Sequence, residues 1–466
     1  MASPTLTAPA LTSGGTWESE TRICYIVRTA LPEKSASASS LCNLCVLGVS
    51  VVVFTKQFLN HRDTENAEVA QRSQVNQMMK HWSNRLFAII RVAAIVFAAA
   101  SLASSQNINV ERVIAELEPE IQRTLLAGNI PSASIALVAN DRVIWTNAYG
   151  YSNLWARTPA TPNTVYLIGS TFKTMSTVAL LQQMEQGKFK LDDPVNKYLT
   201  DLKIEGEDLQ HPITFRHLLT HTSGLPADFG PFPVWGDTVP PSLDDYLRKS
   251  LKVTLAPLTK VEYSNTAFTL VGYLVQKFSG VPYKQYIQEH VFTPMEMTST
   301  AFEPSPNMEE RLSIPYVIDE KTGSQIGTVR LKASVWPAGL VYGTVLNQAN
   351  WLICNLNGGA FKSKRLISEQ TLEQMFTRQY DQFKGGIEGI WGNETAGFGL
   401  TWWTEVRDGD RYFAHSGSVP GYTAFLLGNR DQKLGFAILT NGNRAHPHLF
   451  KLADKAMDLM KKYGGK

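Results

Sequence analysis

The chain has 466 residues, of which 44% are hydrophobic and 18% charged, and a formal net charge of +3. That length suits two or three domains or one large two-lobed one, and the composition is ordinary for a globular protein. So small a charge, with no Lys/Arg-dense run, no basic stripe laced with aromatics and no fixed-period repeat, argues against nucleic acid as a partner and against a repeat architecture.

The first hundred residues differ from the rest. Residues 1–40 are rich in Ser, Thr, Ala and Pro without sustained period, the pattern of a disordered segment. Leu41 to Phe54 is apolar but too short for a membrane span, and 60–74 is polar and unpatterned. From Met78 to Gln106 the order changes to basic residues (Lys80, Arg85), an apolar run from Leu86 to Leu102, and small residues around Ala103. This is the grammar of a secretory signal peptide, so residues 78–105 are read as a signal peptide and 1–77 as a disordered or spurious extension. The rival reading is a signal anchor, which would be the chain's one membrane contact; Arg91 within the apolar run weakens both. Either way the body is expected outside the cytoplasm, secreted or periplasmic. Three cysteines, Cys24, Cys42 and Cys45, fall in the leader, and the body keeps only Cys354, which leaves it no internal disulfide. Cys42-x-x-Cys45 lacks the second pair or βαβ context of a zinc or redox site.

The body opens with a helical stripe, Val110, Val113, Ile114, Leu117, Ile121 and Leu125, stopping at Gly128; Pro119 inside it predicts a kink or a later start. Two strands joined at Asn140-Asp141 follow as a hairpin. A helix apolar around most of its girth is predicted from Ser170 to Gly187. The stretch 175–330 reads as helix and loop with many prolines. Residues 411–441 give three strands with turns at Val419-Pro420-Gly421 and Arg430-Asp431, and a last helix covers about Leu449 to Met460. The economical architecture is α+β: one domain over 108–463, its antiparallel sheet built from both ends of the chain and flanked by helices, with a mostly helical lobe inserted and a cleft between the two.

Three short stretches carry chemistry. In "LIGSTFKTM" Lys173 follows Ser170 by three, so the two are neighbours on a helix face. Burial and the positive helix end both disfavour the ammonium, and a neutral lysine can take the serine's proton. The helix start also offers N–H groups to a developing oxyanion. "EYSNTAF" supplies Tyr263, a phenol able to relay a proton, and Asn265, a carboxamide able to hold a substrate carbonyl or orient the lysine. "FAHSGSVPGY" supplies His415, Ser416 and Gly417 on a strand. There the glycine would let substrate approach the backbone, and the Ser418 N–H would complete an oxyanion hole with that of Ser170.

The order Ser-x-x-Lys, Tyr-x-Asn, His-x-Gly resembles the serine β-lactamase and penicillin-binding-protein superfamily. It is most similar to the branch holding class C β-lactamases, one type of D-alanyl-D-alanine carboxypeptidase and related esterases. The resemblance spans about 110–460 and includes the framework blocks Ile213 to Pro226 and Ser264 to Gln276. It implies a β-lactamase/transpeptidase-like fold with no cofactor. In it Ser170 is the acylated nucleophile, Lys173 its partner, Tyr263 general base or proton shuttle, and Asn265 with His415 to Gly417 the substrate-binding groups. Ester, D-amino-acid peptide and β-lactam all suit such machinery as small-molecule or peptide substrates. One departure matters: β-lactamases typically have Lys-Thr-Gly where this chain has His-Ser-Gly, and histidine is mostly neutral at pH 7. An esterase or carboxypeptidase therefore fits better than an efficient β-lactamase. Tyr151-Ser152-Asn153, a second "YSN", precedes Ser170 and is read as a decoy.

Two other classes stand beside this reading. His211, His217 and His221 could serve a metal-dependent hydrolase, with His217 and His221 at i,i+4, but "HLLTH" lacks the glutamate of His-Glu-x-x-His and a structural role is favoured. A non-catalytic binder on the same fold is the other. Trp235, Trp336, Trp391 and the Trp402-Trp403 pair are given no role beyond core or cleft lining. N-terminal sequencing of the native protein tests the leader reading: peptides from 1–77 are expected to be absent, and their recovery would refute it.

Overall fold

The computed structural model describes residues 108–228, 239–333, 335–383 and 394–464. The leader, its three cysteines, Trp235 and Trp391 lie outside the described residues.

Helix α1 (Val110–Ala127) starts at Asn109, whose side chain accepts a hydrogen bond from the Arg112 N–H. It buries Val113, Leu117, Ile121 and Leu125, a repeat of four that forms one stripe. The helix is continuous through Pro119, which corrects the expectation of a later start. Proline removes one intrahelical bond and its ring crowds the preceding turn, and the buried stripe on either side outweighs that cost. The hairpin falls where Asn140-Asp141 places it, between β1 (Ser132–Ala139) and β2 (Arg142–Asn153), with Asn140 at φ +58°. A two-residue strand β3 (Thr158–Pro159) edges β2.

The inserted lobe is built on α2 (Lys173–Glu185) and α3 (Asn265–Ser279), both buried nearly all round. Helix α4 (Val345–Leu356) returns the chain to the sheet. Five strands and a helix then complete the domain: β4 (Gly397–Phe398), β5 (Trp403–Arg407), β6 (Asp410–Val419), β7 (Tyr422–Asn429), β8 (Leu434–Thr440) and α5 (His446–Tyr463). The sheet order is β4-β5-β6-β7-β8-β1-β2-β3, antiparallel throughout. The first long strand thus pairs with the last, Ala133 opposite Thr440, as expected for a sheet drawn from both chain ends. The short strands β3, β4 and β5 were not expected from sequence; β3 and β4 have two residues each, too brief to show alternation, and β5 has five.

The central strand β1 is buried on both faces, so its burial shows no alternation between core and solvent. Ile135 and Leu137 pack with α1 and α5; Ala136 and Val138 face the opposite way, into the core shared with α2, α3 and α4. That second core leaves little slack around Gly272 on α3. A methyl group there would sit 2.1 Å from Cγ of Pro337, in the short helix Trp336–Gly339. A proline ring cannot swing aside, so the turn itself would have to move. Gly272→Ala is expected to cost about 1–3 kcal/mol of stability in urea unfolding, and to slow Ser170 acylation, because the next residue, Ala338, contacts the site.

Candidate active site

Ser170 lies in a single 3₁₀ turn, Gly169–Phe172, and α2 begins only at Lys173. This corrects the expectation that Ser170 opens the α-helix. The short pairing of Tyr166-Leu167 with Tyr342-Gly343, and the Ile168 N–H on the Val341 carbonyl at 2.9 Å, deliver the chain in extended form. Gly169 at φ +56° then turns it, a conformation costly for residues with a Cβ. The i,i+3 relation survives the tighter turn, and indeed brings the two side chains more nearly into line.

Lys173 is fully buried. Its Nζ lies 3.0 Å from Ser170 Oγ, 2.6 Å from Asn265 Oδ1 and 2.6 Å from the Ala338 carbonyl oxygen. Burial pushes its pKa well below the usual lysine value, and the carboxylate of Asp228 pushes partly back. Two of the three partners are carbonyl oxygens that can only accept, so they fix two N–H groups. In the neutral amine the remaining direction is the lone pair, and it points at the Ser170 hydroxyl.

Tyr263 and Asn265 are placed by the start of α3. Ser264 between them is the cap: its hydroxyl accepts from the Ala267 N–H at 3.0 Å and donates to the Pro226 carbonyl at 2.7 Å. The cap throws Tyr263 and Asn265 to either side of Lys173, whose Nζ is 4.7 Å from the Tyr263 ring centre. The Tyr263 hydroxyl is buried beside Ser170 but outside hydrogen-bond geometry. Its pKa is raised, chiefly by burial; the Ser170 hydroxyl opposes the shift, and Asp228 adds a smaller push upward. Asn265 spends its other end on Asp228, Nδ2 donating to Oδ1 at 2.9 Å.

Strand β6 closes the site on the far side. A Cβ on Gly417 would lie 2.1 Å from the Ile168 carbonyl oxygen, and one on Gly169 would lie 2.8 Å from the Ser418 nitrogen. Gly417 is therefore needed for strand and turn to touch; the expectation that it admits substrate is corrected. Val419 faces Tyr422 across the Pro420-Gly421 turn. Ser418, one residue earlier, falls at a position whose N–H points to the open strand edge, toward Ser170. A cavity of about 260 Å³ opens there, lined by Ser170, Asp228, Asn265 and Ser418 among others.

His415 does not reach this cavity. It is fully buried, its Nδ1 is 2.6 Å from the Ser416 carbonyl, and its ring stacks on Trp403. Burial, with Lys173 nearby, drops its pKa to about 3. Ser416 is half-buried, and the His446 ring contacts the Gly417 carbonyl at 3.2 Å. The three candidate metal ligands are separately engaged. His211 pairs with Asp208 at the surface, His217 accepts from the Thr214 N–H in a capping box, and His221 accepts from the Ser264 N–H. Among the described residues no three His, Cys, Asp or Glu side chains are arranged to hold a metal. Tyr151-Ser152-Asn153 ends β2, and its carbonyls bond Asn441, a structural role that agrees with its reading as a decoy.

Three contributors were missed from sequence. His221 stacks on the Tyr263 ring with centres 4.2 Å apart, Asp228 polarises the site through Asn265, and Ala338 supplies a main-chain oxygen. Main-chain acceptors leave no residue signature. Asp228 stands close after the block "HTSGLP", which marks the loop but not its carboxylate.

The buried histidines make stability depend on pH. His415 titrates at about 3, His217 at about 4 and His221 well below its usual value, all mainly through burial. In the unfolded chain each takes a proton near 6.5. The histidine contribution is therefore expected to be complete above neutral pH and to fall as pH drops from about 6.5 toward 4, since only the unfolded state gains protons there, while neutral Lys173 adds a further rise as pH climbs toward the usual lysine range. Urea midpoints measured across this range check it, and His415→Gln is expected to flatten part of the slope.

Comparison with known proteins bears on the family and the fold. The Beta-lactamase family pattern matches residues 112–460. Protein flp of Staphylococcus aureus (strain MRSA252) is 27% identical over 335 residues, covering 70% of this chain and 63% of its own length. Unguisins hydrolase ungD' of Aspergillus campestris is 25% identical over 368 residues, covering 73% of this chain and 64% of its own. The chain thus spans less than two thirds of the length of these relatives. Among solved structures, the octameric penicillin-binding protein homologue from Pyrococcus abyssi superposes with a TM-score of 0.62 at 27% identity, covering 75% of this chain and 78% of the other. By its matched sequence, its helix-flanked antiparallel sheet and its hydrolase relatives, the chain belongs to the β-lactamase family and carries the β-lactamase/transpeptidase fold.

Proposed function

We propose that the protein is a serine hydrolase that transfers an acyl group to Ser170 and then to water, without a cofactor. The observation that carries this reading is the environment of Lys173: a buried amine with two N–H groups committed to carbonyl oxygens and its remaining direction on a half-exposed serine. A free serine cannot lose its proton at pH 7 unaided, and a dry, neutral amine at 3.0 Å is positioned to accept it.

The steps follow from the positions. As Ser170 Oγ bonds to the substrate carbonyl carbon, its proton moves to Lys173 Nζ. The carbonyl oxygen becomes an oxyanion held by the N–H groups of Ser170 and Ser418. Tyr263, whose raised pKa keeps it a phenol, gives its proton to the departing oxygen or nitrogen as the carbonyl re-forms, and regains one from Lys173. Water then repeats the sequence on the acyl-enzyme, with Ser170 as the leaving group. Asn265 orients Lys173, and His415, Ser416 and Gly417 hold the strand that presents Ser418.

An ester or a D-amino-acid peptide is favoured over efficient β-lactam hydrolysis. A buried histidine with a pKa near 3 supplies no cation for a substrate carboxylate. The export reading of residues 78–105 would put this activity outside the cytoplasm.

A fluorophosphonate is expected to label Ser170. Ser170→Ala should lose both labelling and hydrolysis in a panel of short p-nitrophenyl esters, a D-Ala-D-Ala peptide and a chromogenic cephalosporin. Lys173→Ala should lower the rate on the order of 10²–10⁴-fold. Undiminished hydrolysis by Ser170→Ala would sink the reading, and stoichiometric zinc with chelator-sensitive activity would replace it with the metal-dependent one.

A further inference from the structure

We infer that Asp228 selects acyl donors that carry an ammonium group close to the scissile carbonyl, such as amino-acid esters or amides with a free amine. The inference rests on the acyl-enzyme reading and deepens it.

Asp228 lines the same cavity as Ser170 and Ser418, and it is the one charged side chain among that cavity's described lining residues. Much of the remaining lining is apolar, including Leu331, Val335 and Val419. The carboxylate is exposed, and one of its oxygens accepts from Asn265. A carboxylate has about four lone-pair directions, so the one bond accepted from Asn265 leaves most of its accepting capacity open. No described Lys, Arg or His forms an ion pair with it.

The placement fixes where a cation would sit. Asn265 bridges Asp228 to Lys173, 2.9 Å on one side and 2.6 Å on the other. The carboxylate is therefore one side chain removed from the amine that faces the nucleophile, and its field reaches Lys173 and Tyr263. A substrate carbonyl poised at Ser170 thus has a negative charge in the same cavity. With His415 buried and neutral behind the strand, the cavity's described lining offers no opposing cation. An ammonium gains a charge-assisted hydrogen bond to Asp228 in an apolar surround, whereas a substrate carboxylate there is repelled.

The test compares p-nitrophenyl esters of alanine with a free amine, N-acetyl-alanine and propionic acid, in D and L forms where they exist, corrected for spontaneous hydrolysis. Wild-type protein should prefer the free amine over N-acetyl in kcat/KM by on the order of 10-fold. Asp228→Asn should remove most of that preference while lowering turnover of the propionyl ester far less; Asp228→Glu should retain the preference. An equal fall on all three esters in Asp228→Asn would reduce Asp228 to positioning Asn265 and overturn the inference, as would wild-type indifference to the free amine. Fluorophosphonate labelling of Ser170, run in parallel, separates the two levels: labelled protein without the preference refutes the ammonium site alone, and unlabelled, inactive protein refutes the acyl-enzyme reading with it.

Discussion

The structure depends on keeping one amine dry. Water around Lys173 would restore its ordinary pKa, and an ammonium cannot take the proton of Ser170. Burying an amine is costly unless its hydrogens find acceptors. The two strict acceptors come from stretches far apart in the chain: Asn265 at the start of α3, and Ala338 in the turn 336–339. Their convergence is what the inserted lobe is folded to achieve. Ser176, one turn along α2, donates to the Pro337 carbonyl at 2.7 Å and so helps hold the turn that carries Ala338. The close approach of Pro337 to Gly272 serves the same end.

The second constraint is contact between main chains. Turn 169–172 and strand β6 approach until side chains at Gly169 or Gly417 would not fit. Two N–H groups can converge on one oxyanion only if the backbones bearing them nearly touch, and these glycines allow that approach in the proposed reaction. The strand's remaining polar group there is restrained by His446. His415, buried against Trp403, then reads as part of the strand's foundation.

Much of this was legible in the sequence because it rests on local rules. The hairpin at Asn140-Asp141, the three C-terminal strands and the all-round apolar α2 follow from turn chemistry and periodicity. The order of Ser170, Lys173, Tyr263 and Asn265 carried the family. Other features were illegible for physical reasons. A 3₁₀ turn and an α-helix start share their residue preferences, so the register at Ser170 could not be told from composition. Pro119 obeys a local rule that packing overrides. The roles of Ala338, His221 and Asp228 exist only once distant segments meet.

The pairing of β1 with β8 has a consequence for how the molecule comes into being. Ala133 bonds across to a strand that ends at Thr440, so the centre of the sheet is closed by contacts spanning roughly 300 residues. Such contacts are entropically late. Until the last strand arrives, β1 has an unpaired edge and an apolar face, and β6, against which the Ser170 turn is set, is not yet joined to β1 through β7 and β8. Ser170, near the beginning of the domain, thus lacks its full setting until nearly the whole chain has been made. A chain shortened before β8 would hold Ser170 and Lys173 yet have no site, and it would expose the edge most prone to self-association.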